Sequence, residues 1–343
     1  MQTDLGSGRS ITATLAHRQQ SLIDPDGRRM SYLRLSITDV CNFRCQYCLP
    51  AGYSGERRQF LSINEIRRLL TAFAELGMEK LRLTGGEATV RADFTEIAAV
   101  AATVPGVRRL AFTTNGYRLH KNAALWRRTG LNAVNVSVDS LDPGIFQRLT
   151  GHDRLHEVLA GVEAAVAAGF EQVKINAVLL RDINDDATDD FLDWIRERPV
   201  SVRFIELMQT GNNLAYFRRH HVSADFLTRK LTAAGWQRQA TMDNAGPAIE
   251  FRHPGYLGSV GIIAPYSRDF CGSCNRLRVT ATGELRLCLF GNSGASLRDL
   301  LQDDAQKPLL QQRITALLRH KRSSHFLAAG DTGATVHLAS IGG

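Results

Sequence analysis

The 343-residue sequence predicts an α/β fold, an incomplete (β/α)6 barrel of the TIM type followed by a C-terminal extension. Three observations carry this. First, short apolar runs at 33–38, 80–84, 109–114, 133–138, 172–179 and 202–207 read as strands, and amphipathic stretches at 63–76, 94–103, 123–128, 155–168 and 187–196 read as helices between them. Such alternation implies parallel strands joined by right-handed crossovers. Second, six units fall short of a closed eightfold barrel. An open doubly wound sheet has the same periodicity and stands as the alternative. Third, the rhythm breaks after about residue 220, in a chain longer than one core usually organises outside an α/β barrel.

Residues 1–29 are polar, with Gly and Ser early and Asp-Pro-Asp-Gly at 24–27, and are expected to form a flexible N-terminal extension. Residues 30–220 hold the barrel units. Residues 221–343 contain a helix-like stretch at 223–234, short strand candidates, and a helical tail at 305–320, with Ile341, Gly342 and Gly343 last. Apolar residues make up 44% and charged residues 22%, ordinary for a soluble globular protein. The longest apolar run, 97–104, is far shorter than the ~20 residues that cross a bilayer. With no hydrophobic signal core near the start, a cytoplasmic protein without membrane contact is expected. A net charge of +8 suits a polyanion, whether nucleic acid, anionic lipid or a nucleotide triphosphate; a solubilising surface is the plainer reading.

The six cysteines fall into two trios, Cys41, Cys45 and Cys48, then Cys271, Cys274 and Cys288. Disulfides explain such clustering poorly in a chain of this kind, and metal ligation explains it well. The first trio has the form C-x3-C-x2-C and follows the first strand, where parallel α/β folds gather their chemistry. Three thiolates are one short for a structural zinc or an ordinary four-iron cluster. Either a distant fourth residue closes the site, or a small molecule takes the last position. Thr84-Gly-Gly-Glu87 follows the second strand; it is either a tight turn or a place where backbone approaches a ligand. Ser137 ends the fourth strand, where it either reaches a ligand or joins Asp139 and Ser140 in capping. In the second trio, Arg276 and Arg278 follow Cys274 and share one face of an extended segment. Paired guanidiniums beside a metal site suit phosphate; an exposed edge strand is the bland alternative.

C-x3-C-x2-C after the first strand, with Tyr47 before the last cysteine, resembles the signature of radical S-adenosylmethionine (SAM) enzymes. With C-x2-C-x13-C and Asn275-Arg-Leu-Arg278 added, the sequence resembles the GTP 3′,8-cyclase family of molybdenum-cofactor biosynthesis over about residues 30–343. Matching segments include 33–39, 48–50, 81–87, 113–116, 135–142 and 203–208. The resemblance implies two [4Fe–4S] clusters, on Cys41, Cys45 and Cys48 and on Cys271, Cys274 and Cys288. It implies SAM contacts at Tyr47, Gly86, Ser137 and Met208. It places GTP contacts at Arg34, Arg82, Thr113, Lys174, Arg276, Leu277 and Arg278, with Lys80 and Arg203 as basic neighbours. Catalysis falls to Cys41, Cys45, Cys48, Arg276 and Arg278. The implied reaction is a lyase step. It converts GTP to (8S)-3′,8-cyclo-7,8-dihydroguanosine 5′-triphosphate, with 5′-deoxyadenosine and methionine formed from SAM. Implied partners are a reductant protein such as flavodoxin or ferredoxin, cyclic pyranopterin monophosphate synthase as the recipient of product, and a second copy in a homodimer. The Gly342-Gly343 tail is expected to reach the active site. Ala88 departs from the family, which has proline there.

Three rivals make different demands. A maturase-type radical SAM protein with an auxiliary cluster would act on a peptide and needs no Asn-Arg-x-Arg. A nucleic-acid binder should interleave aromatic with basic residues, whereas aromatics are only 7% here. A two-cluster redox carrier has no use for a triphosphate pocket.

Overall fold

The computed structural model describes residues 21–55, 58–240, 246–291 and 294–342. Six strand–helix units come first. They run β1 (Tyr32–Thr38), α1 (Ile63–Glu75), β2 (Lys80–Gly85), α2 (Phe94–Thr103), β3 (Arg109–Thr114), α3 (Leu119–Arg128), β4 (Ala133–Ser137), α4 (Pro143–Thr150), α5 (Leu155–Ala167), β5 (Gln172–Leu179), α6 (Thr188–Trp194) and β6 (Ser201–Glu206). Then follow α7 (Leu214–His220), α8 (Asp225–Ala233), β7 (Gln237–Arg238), β8 (Ile249–Arg252), β9 (Ser259–Ile263), β10 (Arg276–Val279), β11 (Glu284–Arg286), β12 (Ala295–Ser296) and α9 (Lys307–Leu318).

The twelve strands among the described residues belong to one sheet, in the order β12-β11-β10-β1-β2-β3-β4-β5-β6-β9-β8-β7. Strands β1 to β6 lie side by side and parallel, in sequence order. The region after residue 220 is not a separate layer. It adds β9 parallel to β6 on one side and β10 parallel to β1 on the other. Each is only four or five residues long, in keeping with the short strand candidates expected there, but their pairing with β6 and β1 is not carried by any periodicity. Helix α4 was also absent from the sequence reading, although its start is well marked. Asp142 accepts the Ile145 N–H at 2.7 Å and Pro143 occupies the first turn.

The flexibility expected over 1–29 fails for 21–29. The Asp-Pro-Asp-Gly run closes a tight turn in which Asp24 accepts the backbone N–H groups of Asp26 and Arg28 at 3.1 and 2.9 Å. Leu22 and Met30 are buried beside it. Arg28 then donates to the carbonyls of Cys271 at 3.0 Å, Arg322 at 2.9 Å and Ser323 at 2.7 Å. Residues 1–20 lie outside the described ones.

Strand alternation explains the two faces of the sheet. On β1, Leu33, Leu35 and Ile37 point into the hydrophobic core with Ile66, Leu69 and Leu70 of α1. Arg34, Ser36 and Thr38 point the other way. Helix α1 is held at its start by a capping box between Ser62 and Glu65. Phe112 of β3 packs against Phe94, Trp126 and Phe170 at ring separations of 5.5, 5.5 and 6.1 Å. Among the described residues no helix is long and apolar enough to cross a membrane.

Because Phe112 is fully buried in this aromatic group, Phe112→Ala should lower stability by about 3–5 kcal/mol. Denaturant unfolding of the two proteins measures the difference. A change under about 1 kcal/mol would contradict the packing described.

Candidate active site

The inner face of the sheet is lined with charge. Parallel register sets Arg276, Tyr32 and Lys80 in one row across β10, β1 and β2, and Arg278, Arg34 and Arg82 in the next. Across the sheet, Asn135, Lys174 and Asn176, with Arg203, complete the walls from β4, β5 and β6. One cavity is lined by Arg34, Lys80, Arg82, Lys174, Arg203, Arg276 and Arg278, together with Cys271, Cys274 and Cys288. Seven cations from five strands therefore face three thiols.

The cations are fixed by neighbours. Arg82 is buried and donates from Nε to Tyr32 Oη at 2.6 Å and from Nη1 to the Phe112 carbonyl at 2.9 Å. Arg203 pairs with Glu250 at 2.5 Å. Arg278 and Arg34 both donate to the Gly342 carbonyl, at 2.7 Å each. Crowding changes their proton affinities. Burial, reinforced by Arg203, brings Lys174 down to about 6. Lys80 falls to about 8, chiefly by burial. Burial alone would raise Tyr32, but Arg82, Arg34 and Lys80 outweigh it and bring the phenol down to about 6.

The first trio lies in a second cavity with Tyr47, Gly86, Thr113, Ser137 and Met208. Asn176, Ile205, Met208 and Leu289 line both cavities, so the two thiol groups face each other across shared walls. The Cys41–Cys48 loop is tied to α4 by Arg44 N–H to the Thr150 carbonyl and Gln46 N–H to the Leu149 carbonyl, each at 3.0 Å. Tyr47 donates to Asp139 at 2.9 Å, and Asp139 also accepts the Val178 N–H. Burial raises Asp139 to about 6. Glu87 is buried and accepts from Thr89, Thr114 and the Asn115 N–H, which locks the Gly-Gly-Glu turn. A Cβ on Gly86 would meet the Val40 carbonyl oxygen at 2.5 Å, so only glycine lets this turn press against the cysteine loop.

The two trios differ electrostatically. Burial pushes Cys41 up to about 12 and Cys48 up to about 11. Around the second trio, Arg276 and Lys321 overcome the effect of burial and bring Cys274 down to about 7. Among the described residues no three His, Cys, Asp or Glu side chains close on the geometry of a single metal ion. The all-thiol donor set of each trio suits iron–sulfur ligation.

Two expected substrate contacts are placed elsewhere. Leu277 alternates away from Arg276 and Arg278 and is buried in the core, so its side chain does not line the cationic cavity. Thr113 lines the first trio's cavity and accepts from Arg82 at 3.2 Å. Other site residues were absent from the sequence reading. Asn135 and Asn176 follow the inward period of their strands, a legible signal. Lys321, which donates to the Leu287 carbonyl, and His325 arrive from a loop with no pattern to announce them.

A model of the radical SAM superfamily matches residues 35–195, and one described as molybdenum cofactor synthesis C matches 200–327. A GTP 3′,8-cyclase of Edwardsiella ictaluri (strain 93-146) is 56% identical over 325 residues, covering 94% of this chain and 99% of that protein. This chain belongs to the GTP 3′,8-cyclase family. Among solved structures, Streptococcus suis SuiB bound to S-adenosylmethionine aligns with a TM-score of 0.60 at 13% identity, over 83% of this chain and 68% of that one. SuiB bound to the precursor peptide SuiA gives 0.58 at 12% identity, over 85% and 67%. These likenesses show the shared α/β fold with its mostly parallel sheet. Membership of the radical SAM superfamily brings SAM and a [4Fe–4S] cluster with it.

Within the family's Gly-Gly tail, Gly342 is described and Gly343 lies outside the described residues. A Cβ on Gly342 would stand 2.1 Å from Thr84 Cγ2, at a φ of +63° that side chains other than glycine rarely adopt. Gly342→Ala should therefore expel the tail from Arg34 and Arg278. Backbone hydrogen exchange over 338–342 should rise at least tenfold; unchanged exchange would contradict this packing.

Proposed function

We propose that this chain catalyses the reaction of its family, cyclising GTP to (8S)-3′,8-cyclo-7,8-dihydroguanosine 5′-triphosphate at the start of molybdenum-cofactor biosynthesis. The observation that carries the reading is the cavity in which seven cations face Cys271, Cys274 and Cys288. A buried set of cations needs an anion of matching charge, and a triphosphate is one.

Cys41, Cys45 and Cys48 hold the cluster that binds SAM, and Cys271, Cys274 and Cys288 hold a second [4Fe–4S] cluster. When bound, the first cluster and SAM supply a one-electron cleavage that generates 5′-deoxyadenosyl radical and methionine. The chain's own side chains do the rest by position. Tyr47, Gly86, Ser137 and Met208 line the SAM side, with Asp139 orienting Tyr47. Arg34, Arg82, Lys174, Arg276 and Arg278 grip the triphosphate, with Lys80 and Arg203 beside them. Thr113 steadies Arg82, and Leu277 sets the strand that aims Arg276 and Arg278. Asn176, Ile205, Met208 and Leu289, which line both cavities, would hold the ribose between the two cysteine trios. Gly342 seats two of the arginines through its carbonyl.

Residues 30–220 are read as an incomplete (β/α)6 barrel and 221–343 as the auxiliary-cluster and GTP-binding region. The electron comes from a reductant protein such as flavodoxin or ferredoxin. The product passes to cyclic pyranopterin monophosphate synthase, and two copies associate as a homodimer. Thiolate-ligated clusters suit a reducing, cytoplasmic setting. Peptide maturation, the rival suggested by an auxiliary cluster, leaves the seven cations without a purpose.

Arg276→Ala should weaken GTP affinity at least tenfold by equilibrium binding while reductive SAM cleavage persists; unchanged GTP affinity would overturn the assignment. Cys48→Ala should abolish SAM cleavage.

Proton linkage gives an independent check. With folded values near 6, Lys174 is neutral and Tyr32 is charged in the empty cavity above that pH. A bound polyanion favours Lys174 protonated and Tyr32 neutral, so both take up protons. GTP affinity should therefore fall as pH rises from 7 to 9. Calorimetry in buffers of different ionisation enthalpy should show proton uptake, reduced in Lys174→Met. Heats independent of buffer would contradict the charge state described.

A further inference from the structure

The loop after α9 brings a histidine to the second trio. His325 is 8% exposed and lines the cationic cavity beside Cys271, Cys274 and Cys288. Its Nδ1 accepts the Leu327 backbone N–H at 3.0 Å. That bond fixes the tautomer, leaving the ring proton on Nε2. Nε2 is buried, and among the described residues it has no hydrogen-bond partner. Phe270 and Phe290 flank the ring at 5.6 and 5.8 Å, which restricts its rotation. The loop itself is anchored. Arg28 spans the carbonyls of Cys271, Arg322 and Ser323, so the cysteine and the histidine segment are tied to one guanidinium. Ser324 Oγ lies 3.7 Å from the Cys271 sulfur.

A buried N–H with no partner is costly, and a native fold keeps one when a bound group completes it. Cys271, Cys274 and Cys288 line the same cavity, and Cys271 is bonded to the segment that carries the histidine. We propose that His325 is a positioning residue for the second cluster, donating Nε2–H to the Cys271 thiolate sulfur once the cluster is assembled. An N–H···S bond stabilises the reduced, more negative cluster and so raises its reduction potential. The inference rests on the second cluster proposed above. It adds that the potential of that cluster is set by a side chain from the far C-terminal loop, delivered there by Arg28.

The test uses full-length protein with Cys41, Cys45 and Cys48 replaced by alanine, which leaves only the second cluster's electron paramagnetic signal. Redox titration compares this background with added His325→Leu and His325→Gln, with iron and sulfide measured in each. The Leu variant should retain its iron and show a potential lower by about 59 mV, which is a tenfold change in a one-electron equilibrium. The Gln variant, whose amide N–H replaces Nε2–H, should recover most of the shift. A Leu variant fully loaded with iron at an unchanged potential overturns the proposal, as does a Gln variant as low as Leu. Should Leu fail to load, the histidine-bearing protein decides alone. Grown with ¹⁵N-histidine, it should show a weak nitrogen coupling on the reduced cluster by pulsed spectroscopy, and absence of coupling overturns the proposal. If the histidine-bearing background itself holds no iron–sulfur centre, it is the second-cluster reading that fails, and this inference with it.

Discussion

Seven basic side chains drawn into one cavity are the constraint on which the rest of this structure depends. Each close pair of cations costs about 4 kcal/mol at 4 Å in a medium of intermediate dielectric. The protein offsets part of this from within. Glu250 pairs Arg203, Tyr32 accepts from Arg82, and the Gly342 carbonyl accepts from both Arg34 and Arg278. Burial, and after it the neighbouring cations, lower the proton affinities of Lys174 and Lys80. A cavity in that state is built to receive negative charge.

The sheet makes the concentration possible. In parallel register, residues two apart on neighbouring strands stand in rows. Two rows across β10, β1 and β2 therefore set four arginines, one lysine and one tyrosine side by side. This explains why the C-terminal region cannot be an appendage. Without β10 beside β1, Arg276 and Arg278 would not meet Arg34 and Arg82, and the second cysteine trio would have no fixed relation to the first. The outer face of the same strands supplies the apolar packing that holds the rows in place.

Much of this was legible in the sequence because both signals are periodic or clustered. Arg34, Arg82, Lys174 and Arg203 occupy inward positions on strands whose runs announce themselves, and each cysteine trio is compact in sequence. Leu277 stands between two cavity arginines in the resembled motif, and strand alternation turns its side chain to the core. Thr113 sits one strand from the cationic row, a distinction in depth that sequence does not carry. Lys321 and His325 reach the second trio from a loop without periodicity, and the order in residues 21–29 comes from Arg28 meeting carbonyls some 240 to 295 positions away. Contacts of that range depend on the finished fold, and no local pattern encodes them.

The central claim is that a nucleotide spans both cavities, phosphates among the arginines and sugar toward Cys41, Cys45 and Cys48. Transfer of label tests this most directly. Reconstituted protein, SAM, a strong reductant and GTP deuterated at C3′ are incubated without oxygen, and the 5′-deoxyadenosine is analysed by mass spectrometry. The account predicts one deuterium in that product, matched by a cyclised nucleotide in equal amount. Unlabelled 5′-deoxyadenosine, formed with GTP bound, would contradict it.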